Sequence, residues 1–361
     1  MADQTPARVN PRHRRHAMRR LAVVLAPLIV LVSPTAASAR PSAPHSAVDG
    51  VDAVSVTGWT QRPPLHYPRF GSGVATVGGR ILAIGGFDGD ELFAVVESRE
   101  VTGPGDWQTI APLNTARTNL GTATLDGIVY AVGGYDDTST LDVVETFDPR
   151  TITWSPGPRL PQPRGGTAAA ALGGLLYVAG GFISAPGIEE TTASVIAYDP
   201  RKRAWRSVAP MPTARELLRL VTAGPYLYAV GGLSREGDSL TTIERYDPRS
   251  NRWQTVSPMQ ESRVAPGITT TDVGGRQVLV AVGGAIWQNF EVLGSRRTTE
   301  VYDLATGRWQ VLRAELPEPR GSLGCATEAD GTVLAIGGGS FAGPAAEVLA
   351  LRLTRSDLTG Q

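Results

Sequence analysis

Six arginines recur along the sequence, each at the end of a connector and just before a run of small or apolar residues. The motifs are YPRFGSG, TARTNLG, QPRGGTA, TARELLR, ESRVAPG and EPRGSLG, which contain Arg69, Arg117, Arg164, Arg215, Arg263 and Arg320. A guanidinium binds a carboxylate through two parallel hydrogen bonds, so a cluster of such residues suits an anionic ligand. A repeated arginine can equally be structural and tie neighbouring segments through carboxylates or carbonyls, and the sequence leaves both roles open.

The fourth of these motifs departs from the others at two positions. Four residues after the arginine, the other motifs carry a small residue: Gly73, Gly121, Ala168, Gly267 and Gly324. The fourth motif has Arg219 at that position and has Glu216 directly after its arginine. Breaks in a repeat tend to mark function. Because a carboxylate can act as a general acid or base, Glu216 and Arg219 are the candidate catalytic residues.

A second repeated element is a pair of glycines that follows a short apolar run. It occurs as ILAIGG, VYAVGG, LYVAGG, LYAVGG, LVAVGG and VLAIGG, with first glycines Gly85, Gly133, Gly180, Gly231, Gly283 and Gly337. A period of about fifty residues is typical of repeat architectures. Glycine permits close approach of backbones and positive φ, so the pairs are interpreted as architecture.

Tryptophan and an aromatic–acid pair recur in phase with the glycines. Segments such as TFDPRTITW, AYDPRKRAW, RYDPRSNRW and VYDLATGRW place a tight turn between two alternating strands, with Trp154, Trp205, Trp253 and Trp309 opening the second strand. Each period therefore predicts four short antiparallel strands. Units of this kind stack around an axis as a β-propeller.

The three elements together resemble the kelch repeat family over about residues 52–361. The resemblance implies an all-β fold, a six-bladed kelch β-propeller of the galactose-oxidase-like type. In that family the first strands line the axis and the loops after Gly-Gly reach the same face as the arginines. The aromatic residues of those loops are then expected to join the arginines at the mouth of the central channel: Phe87, Tyr135, Phe182, Trp287 and Phe341.

The two ends of the repeat array predict how the ring closes. After the sixth Gly-Gly the chain has one more apolar strand, AEVLALRL, with no tryptophan strand behind it. The missing strand is found at the other end, in VSVTGWTQRPP around Trp59. We therefore expect an N-terminal strand to complete the last blade, which would leave the ring without an open end.

The first 39 residues have the features of a cleavable signal peptide. A basic stretch ends at Arg20, an apolar run covers Leu21 to Val32, and small residues follow up to Ala39. We expect residues 1–39 to be the signal peptide, 40–51 a linker and 52–361 the propeller. The protein is then exported and extracellular, without stable membrane insertion, because twelve apolar residues are too few to span a bilayer.

Composition and scarce metal ligands exclude several function classes. Beyond residue 39 the chain has 28 basic and 33 acidic residues, a net charge of −5, which is unlike a nucleic-acid-binding domain. His66 is the one histidine of the propeller segment, so the resemblance does not extend to the copper site of galactose oxidase or to the iron-dependent specifier proteins. Cys325 has no second cysteine to pair with and no histidine to serve as its base. We expect no metal and no cofactor.

Two function hypotheses follow from these patterns. The first is a secreted, monomeric binding or interaction protein that recognises an acidic sugar or an acidic peptide at the channel mouth, near the fourth and fifth blades. The second, implied by resemblance to the exported kelch-type sialic acid epimerase, is a sugar-acid epimerase or mutarotase. In that enzyme Glu216 would transfer protons while Arg219 and the other arginines hold the substrate carboxylate.

Overall fold

The computed structural model describes residues 58–103 and 105–358, which form six four-stranded antiparallel sheets. The signal-peptide and linker assignments lie outside the described residues, as do residues 52–57 of the expected propeller. A short strand, β1 (Thr60–Arg62), precedes the first complete blade. Among the described residues no helix is long and apolar enough to cross a membrane.

The first three blades follow one another along the chain. Blade 1 comprises β2 (Gly73–Val77), β3 (Arg80–Ile84), β4 (Val96–Glu100) and β5 (Gln108–Ile110). Blade 2 comprises β6 (Gly121–Leu125), β7 (Ile128–Val132), β8 (Val144–Asp148) and β9 (Thr153–Pro156). Blade 3 comprises β10 (Ala168–Leu172), β11 (Leu175–Ala179), β14 (Val195–Asp199) and β15 (Ala204–Val208), and a hairpin of β12 (Phe182–Ala185) and β13 (Ile188–Thr191) projects from it.

The last three blades carry additional short strands beside the four-stranded sheet. Blade 4 comprises β17 (Arg219–Ala223), β18 (Tyr226–Val230), β20 (Ile243–Asp247) and β21 (Arg252–Val256), with β16 (Arg215–Glu216) paired to β19 (Leu233–Ser234). Blade 5 comprises β22 (Gly267–Asp272), β23 (Gln277–Val282), β26 (Thr299–Asp303) and β27 (Arg308–Val311), with the hairpin β24 (Ala285–Gln288) and β25 (Glu291–Ser295). Blade 6 contains β28 (Gly324–Thr327), β29 (Val333–Ile336) and β32 (Val348–Leu351), with the hairpin β30 (Gly339–Ser340) and β31 (Gly343–Pro344), and a 3₁₀ helix follows at Arg355–Leu358.

The first strands of the blades form a closed inner ring. Each one contacts the first strands of its two neighbours, and β28 of the last blade contacts β2 of the first. The prediction of a six-bladed propeller is confirmed. The core lies between the faces of adjacent blades, and the second strands are its most buried members.

The last blade is completed by the N-terminal strand, as the sequence predicts. Its strand order is β1, β32, β29, β28, and Thr60 pairs with Ala350 while Arg62 pairs with Val348. Trp59 packs against the hydrophobic core between blades 5 and 6. The ring therefore has no unpaired end at this point.

The recurring tryptophans join each blade to the one before it. Each stacks on the aromatic residue directly opposite in the third strand, with ring centroids 5.1 to 5.2 Å apart, in the pairs Phe147–Trp154, Tyr198–Trp205, Tyr246–Trp253 and Tyr302–Trp309. The indole nitrogen of Trp154 donates to the carbonyl of Ala111 at the end of blade 1, and the other three make the equivalent bond. This position buries an aromatic ring and satisfies its N–H, which explains its regular spacing.

The glycine pairs are required by the backbone of the next blade. Gly133 has φ 58°, and a Cβ at this position would lie 2.4 Å from the carbonyl oxygen of Arg164. The N–H of Gly134 donates to that same carbonyl at 3.0 Å. A side chain would therefore both strain the backbone and separate the two blades.

Candidate functional site

Five of the six repeated arginines lie in ion pairs inside their own blades. The six side chains are nearly or completely buried, with 0 to 4% of each residue exposed. Their nitrogen to carboxylate distances are 2.5 Å for Arg69–Glu97 and Arg117–Glu145, 2.9 Å for Arg215–Glu244, 3.0 Å for Arg263–Glu300 and 3.3 Å for Arg320–Glu347. The geometry corresponds to the structural role that the sequence left open, and differs from the expected exposed ring at the channel mouth.

The same arginines also hold the glycine pairs in place. Arg69 donates to the carbonyl of Gly85 at 2.9 Å, and Arg215 donates to the carbonyl of Gly231 at 3.0 Å. Burial lowers the pKa of these guanidinium groups, and the glutamate partners oppose that shift. Because the charge is buried, loss of either partner would leave an uncompensated ion inside the blade.

The glutamate partners were missed by the sequence analysis, although their signal is present. Four of these glutamates are the second residue of the third strand in their blades. They are Glu97 in VESRE, Glu145 in VETFD, Glu244 in IERYD and Glu300 in TEVYD. A glutamate at the same position of the third strand in four blades indicates a buried partner for a repeated cation. The carboxylates also bind the connector, since Glu145 accepts the backbone N–H groups of Asn114 and Thr115.

A ring of backbone hydrogen bonds surrounds the axis two residues after each blade arginine. Its six members have φ between 46° and 66°, and we call them the backbone collar: Gly71, Asn119, Gly166, Leu217, Ala265 and Ser322. In five of the six positions the collar N–H donates to the carbonyl of the collar residue in the preceding blade, at 2.7 to 3.0 Å. Among the described residues no such bond joins Ser322 N–H to the carbonyl of Ala265. All members except Ser322 are buried, so the channel is narrow here.

Arg219 crosses the channel beside the collar position that lacks the bond. Its Nε donates to the carbonyl of Pro266 at 2.8 Å and its Nη2 to the carbonyl of Leu323 at 3.3 Å. Pro266 and Leu323 directly follow Ala265 and Ser322, the two collar members that, within residues 58–103 and 105–358, lack a bond to each other. Among the described residues, no carboxylate lies within 4 Å of this guanidinium. Burial lowers the pKa of Arg219 to about 10, so the side chain remains charged at neutral pH.

Arg219 lines an open cavity in the channel. The cavity has an empty volume of about 490 Å³, part of it open to solvent. Its wall combines the hydroxyl groups of Ser72, Thr122 and Thr167 with apolar residues such as Leu220 and Ile268. Small residues stand opposite because the first strands pack closely, and a Cβ on Gly73 would lie 2.3 Å from Thr122.

Four of the five aromatic residues expected at the mouth are buried. Phe87, Tyr135, Phe182 and Trp287 are 2 to 8% exposed, whereas Phe341 is 52% exposed. Trp287 lies in a hydrophobic cluster with Leu217 and Val264, which fills the mouth beside blades 4 and 5. These rings therefore form the packing around the channel mouth, and Phe341 is the member that faces solvent.

Glu216 lies in a buried polar cluster at the mouth. The Tyr135 hydroxyl donates to Glu216 Oε2 at 2.9 Å, and the Thr191 hydroxyl donates to Glu216 Oε1 at 3.2 Å. Glu216 is 2% exposed. The structure thus places the two residues singled out in blade 4 in different surroundings, with Glu216 among side-chain hydroxyls and Arg219 among backbone carbonyls.

Cys325 also lines the channel cavity, close to Arg219. Burial raises the pKa of its thiol to about 12, and the nearby guanidinium only partly opposes this. A thiol with a raised pKa is a poor nucleophile. Among the described residues there is no group of three or more histidine, cysteine or acidic side chains arranged to hold a metal ion.

These features define a kelch-repeat six-bladed β-propeller. The Kelch motif model matches residues 68–98, 116–161, 163–212 and 215–260, which lie in the first four blades. The chain is similar in fold to the solved structure of YjhT, with a TM-score of 0.68 and 15% sequence identity over 81% of this chain and 97% of that one.

Curated relatives match over shorter segments. Kelch-like protein 36 of Bos taurus is 28% identical over 178 residues, which is 48% of this chain and 27% of the relative. Kelch-like protein 33 of Homo sapiens is 41% identical over 88 residues, 23% of this chain and 16% of the relative. The matched segment thus spans about a quarter or less of the length of these relatives.

Proposed function

We propose that this kelch propeller is a binding protein for an acidic ligand, and that Arg219 in the axial channel receives the ligand's carboxylate. The observation that carries the proposal is a charged arginine with no carboxylate partner within 4 Å among the described residues, in an open cavity. The five ion-paired blade arginines are already neutralised by glutamates, and among the described residues Arg219 is the arginine that lines this cavity.

The hydrogen bonds of Arg219 leave room for a ligand. A guanidinium has five N–H donors, and three bonds of Arg219 go to carbonyls, the third a long one to Leu218 at 3.5 Å. Carbonyl oxygens orient the group but do not cancel its charge. A carboxylate would supply both the missing charge and acceptors for the remaining donors.

The residues that line the cavity favour an acidic sugar over an acidic peptide. Hydroxyl groups of Ser72, Thr122 and Thr167 are of the kind that bind sugar hydroxyls, and the apolar wall suits the C–H face of a sugar ring. A peptide would insert only one acidic side chain.

Calorimetric titration with sialic acid, glucuronic acid, glucose and an oligoglutamate peptide tests the proposal. We expect the acidic sugars to bind, glucose to bind at least tenfold more weakly, and Arg219→Ala to abolish the difference. Arg219→Lys should bind more weakly than wild type because it loses the planar fork. Arg159→Ala, which removes a surface arginine 70% exposed in its side chain, is the matched control. Equal binding by wild type and Arg219→Ala would overturn the proposal.

The sugar-acid epimerase or mutarotase is the second candidate function. It is favoured by one observation, the contact between the ionisable Tyr135 hydroxyl and the Glu216 carboxylate, which is a possible proton-transfer pair. For catalysis, Glu216 would have to reach a ligand from a position that is 2% exposed. Proton NMR of anomeric and epimeric exchange in sialic acid tests this role, with Glu216→Gln as the variant. Exchange at the uncatalysed rate in wild type would rule it out.

The N-terminal sequence supports a proposal about where the protein acts. We propose that residues 1–39 direct export and that the propeller acts outside the cell as a monomer. Fractionation of cells expressing the full chain, beside a chain lacking residues 1–39, tests the export. Retention of both in the cytosol would contradict it, and light scattering of the secreted product measures the oligomeric state.

A further inference from the structure

Blade 3 lacks the carboxylate that neutralises the arginine in every other blade. Ile196 occupies the strand position held by Glu97, Glu145, Glu244 and Glu300 in blades 1, 2, 4 and 5. Blade 6 has Leu349 there and supplies Glu347 from two residues earlier. The corresponding earlier residue in blade 3 is Ser194. Both sources of a carboxylate are therefore replaced by residues without charge.

Arg164 is nevertheless as buried as the other blade arginines. It is 2% exposed, and its one hydrogen bond within the described residues is a long one to the carbonyl of Gly180, 3.3 Å from Nη1. In the part of the chain that the structure describes, neither its Nε nor the buried hydroxyl of Ser194 has a hydrogen-bond partner. In blade 5 the residue equivalent to Ser194 is Thr298, whose hydroxyl lies 2.8 Å from Arg263. The fold thus directs the Ser194 position toward the blade arginine.

We propose that blade 3 binds a small monovalent anion, chloride, at Arg164 in the place that four blades fill with a glutamate carboxylate. An isolated buried charge is strongly destabilising, so a protein that retains one is expected to pair it. The Ile196 side chain is apolar and has no oxygen to offer the guanidinium of Arg164. The missing negative charge is a single one, which a small monovalent ion would supply.

The connector before Arg164 offers fewer hydrogen-bond donors than the connector in blade 2. This favours an anion with a single charge that needs few donors. In blade 2 the glutamate carboxylate also accepts N–H groups from Asn114 and Thr115. The first of these positions in blade 3 is Pro161, which has no N–H to donate. The second position is Gln162, which keeps its N–H. Arg164, whose pKa burial lowers to about 10, the Ser194 hydroxyl and the Gln162 N–H are then the donors, and one positive charge balances one chloride.

The test measures melting temperature in sodium chloride and in sodium gluconate at equal ionic strength. We expect chloride to raise the melting temperature of the wild type by roughly 2 to 4 °C relative to gluconate, the size of a stabilisation near 1 kcal/mol. In Ile196→Glu, which restores the pattern of the four other blades, the chloride effect should disappear. In Arg219→Ala it should persist, which separates this site from the channel.

A second variant and a direct measurement make the result decisive. Ser194→Glu copies the arrangement of blade 6 and should also remove the chloride effect, so a folding failure of Ile196→Glu alone does not obscure the outcome. Chloride-35 NMR line broadening should be seen with wild type and lost in the variant that folds. Equal chloride responses in wild type and these variants, or no broadening with wild type, would overturn the proposal.

Discussion

The hydroxyl of Tyr135 in blade 2 lies 2.9 Å from the carboxylate of Glu216 in blade 4, so one hydrogen bond spans two blade boundaries. The bond passes over blade 3 at Gly165, where a Cβ would lie 2.5 Å from the tyrosine ring. Three departures from the repeat therefore depend on one another: a tyrosine, a glycine and a glutamate in three successive blades.

The Tyr135–Glu216 bond should be measurable as a coupling energy. Tyr135→Phe leaves a buried carboxylate short of one donor and is expected to cost about 1 to 3 kcal/mol of unfolding free energy. Glu216→Gln should cost less in the Tyr135→Phe background than alone, which a double-mutant cycle by urea denaturation would detect. Tyr177→Phe, a buried tyrosine in the core of blades 3 and 4, is the control. Additive effects would contradict the coupling.

The absence of a side chain at residue 165 should be essential to this bridge. Gly165→Ala places a methyl group against the Tyr135 ring and is expected to destabilise the protein by about 1 to 3 kcal/mol. The loss should be smaller when Tyr135→Ala removes the ring. Gly105→Ala is the control, because an added Cβ there would meet no atom within 4 Å and φ is not positive. Gly173→Ala would not serve, because its φ of 60° would strain an alanine. An undiminished loss in the double variant would show that the ring is not the cause.

The buried ion pairs should contribute far more to stability than the surface pairs. Glu145→Ala leaves Arg117 charged and without a carboxylate inside blade 2, at a cost of roughly 3 to 5 kcal/mol. Asp142→Ala breaks the exposed pair with Arg159 in the same blade and should change stability by less than about 1 kcal/mol. Chemical denaturation of both variants makes the comparison. Similar losses of unfolding free energy would contradict a structural role for the buried ion pairs.

Removal of the N-terminal strand should destabilise the whole ring. Deletion of residues 52–62 removes Trp59 and β1, and leaves β32 with an unpaired edge. We expect a melting temperature lower by several degrees. A chain that lacks only residues 1–51 is the control and should melt like the parent propeller. An unchanged melting temperature after the longer deletion would refute closure as a source of stability.

Cys325 should make stability depend on alkaline pH. Its pKa is raised from an ordinary value near 9 to about 12 in the folded protein, so the unfolded chain loses this proton first as the pH rises. The stabilisation is therefore complete below about pH 9 and is lost progressively toward pH 12. Cys325→Ala should show a smaller decrease in unfolding free energy between pH 8 and 11. A decrease equal to that of wild type would show that the thiol is not responsible.

The blades and their closure could be predicted because backbone geometry imposes them directly on residue type. Gly133 must lack a side chain where the next blade passes, and Trp154 must bury its ring while its N–H finds a carbonyl. Such requirements recur from blade to blade, so the residues that meet them repeat about every fifty positions in the sequence. The unmatched Trp59 at one end and the unfinished blade at the other indicated the closure for the same reason.

The roles of the arginines could not be predicted in this way. Whether Arg117 faces solvent or a carboxylate depends on Glu145, which lies 28 residues away and on a different strand. The backbone collar could not be predicted either, because Leu217 and Ala265 adopt a positive φ although neither is a glycine, the residue that usually indicates this conformation. These features follow from strand packing around the axis, and a linear motif does not encode them.

The pairing of β1 with β32 also determines the order in which the molecule can fold. Thr60 bonds to Ala350, a contact between residues 290 positions apart. Contacts of such long range form slowly, because a large loop must close before they stabilise anything. Within the propeller, β1 therefore stays unpaired until β32 is available. We expect blades 1 to 5 to be able to form before blade 6, whose sheet is complete only after β1 and β32 have paired.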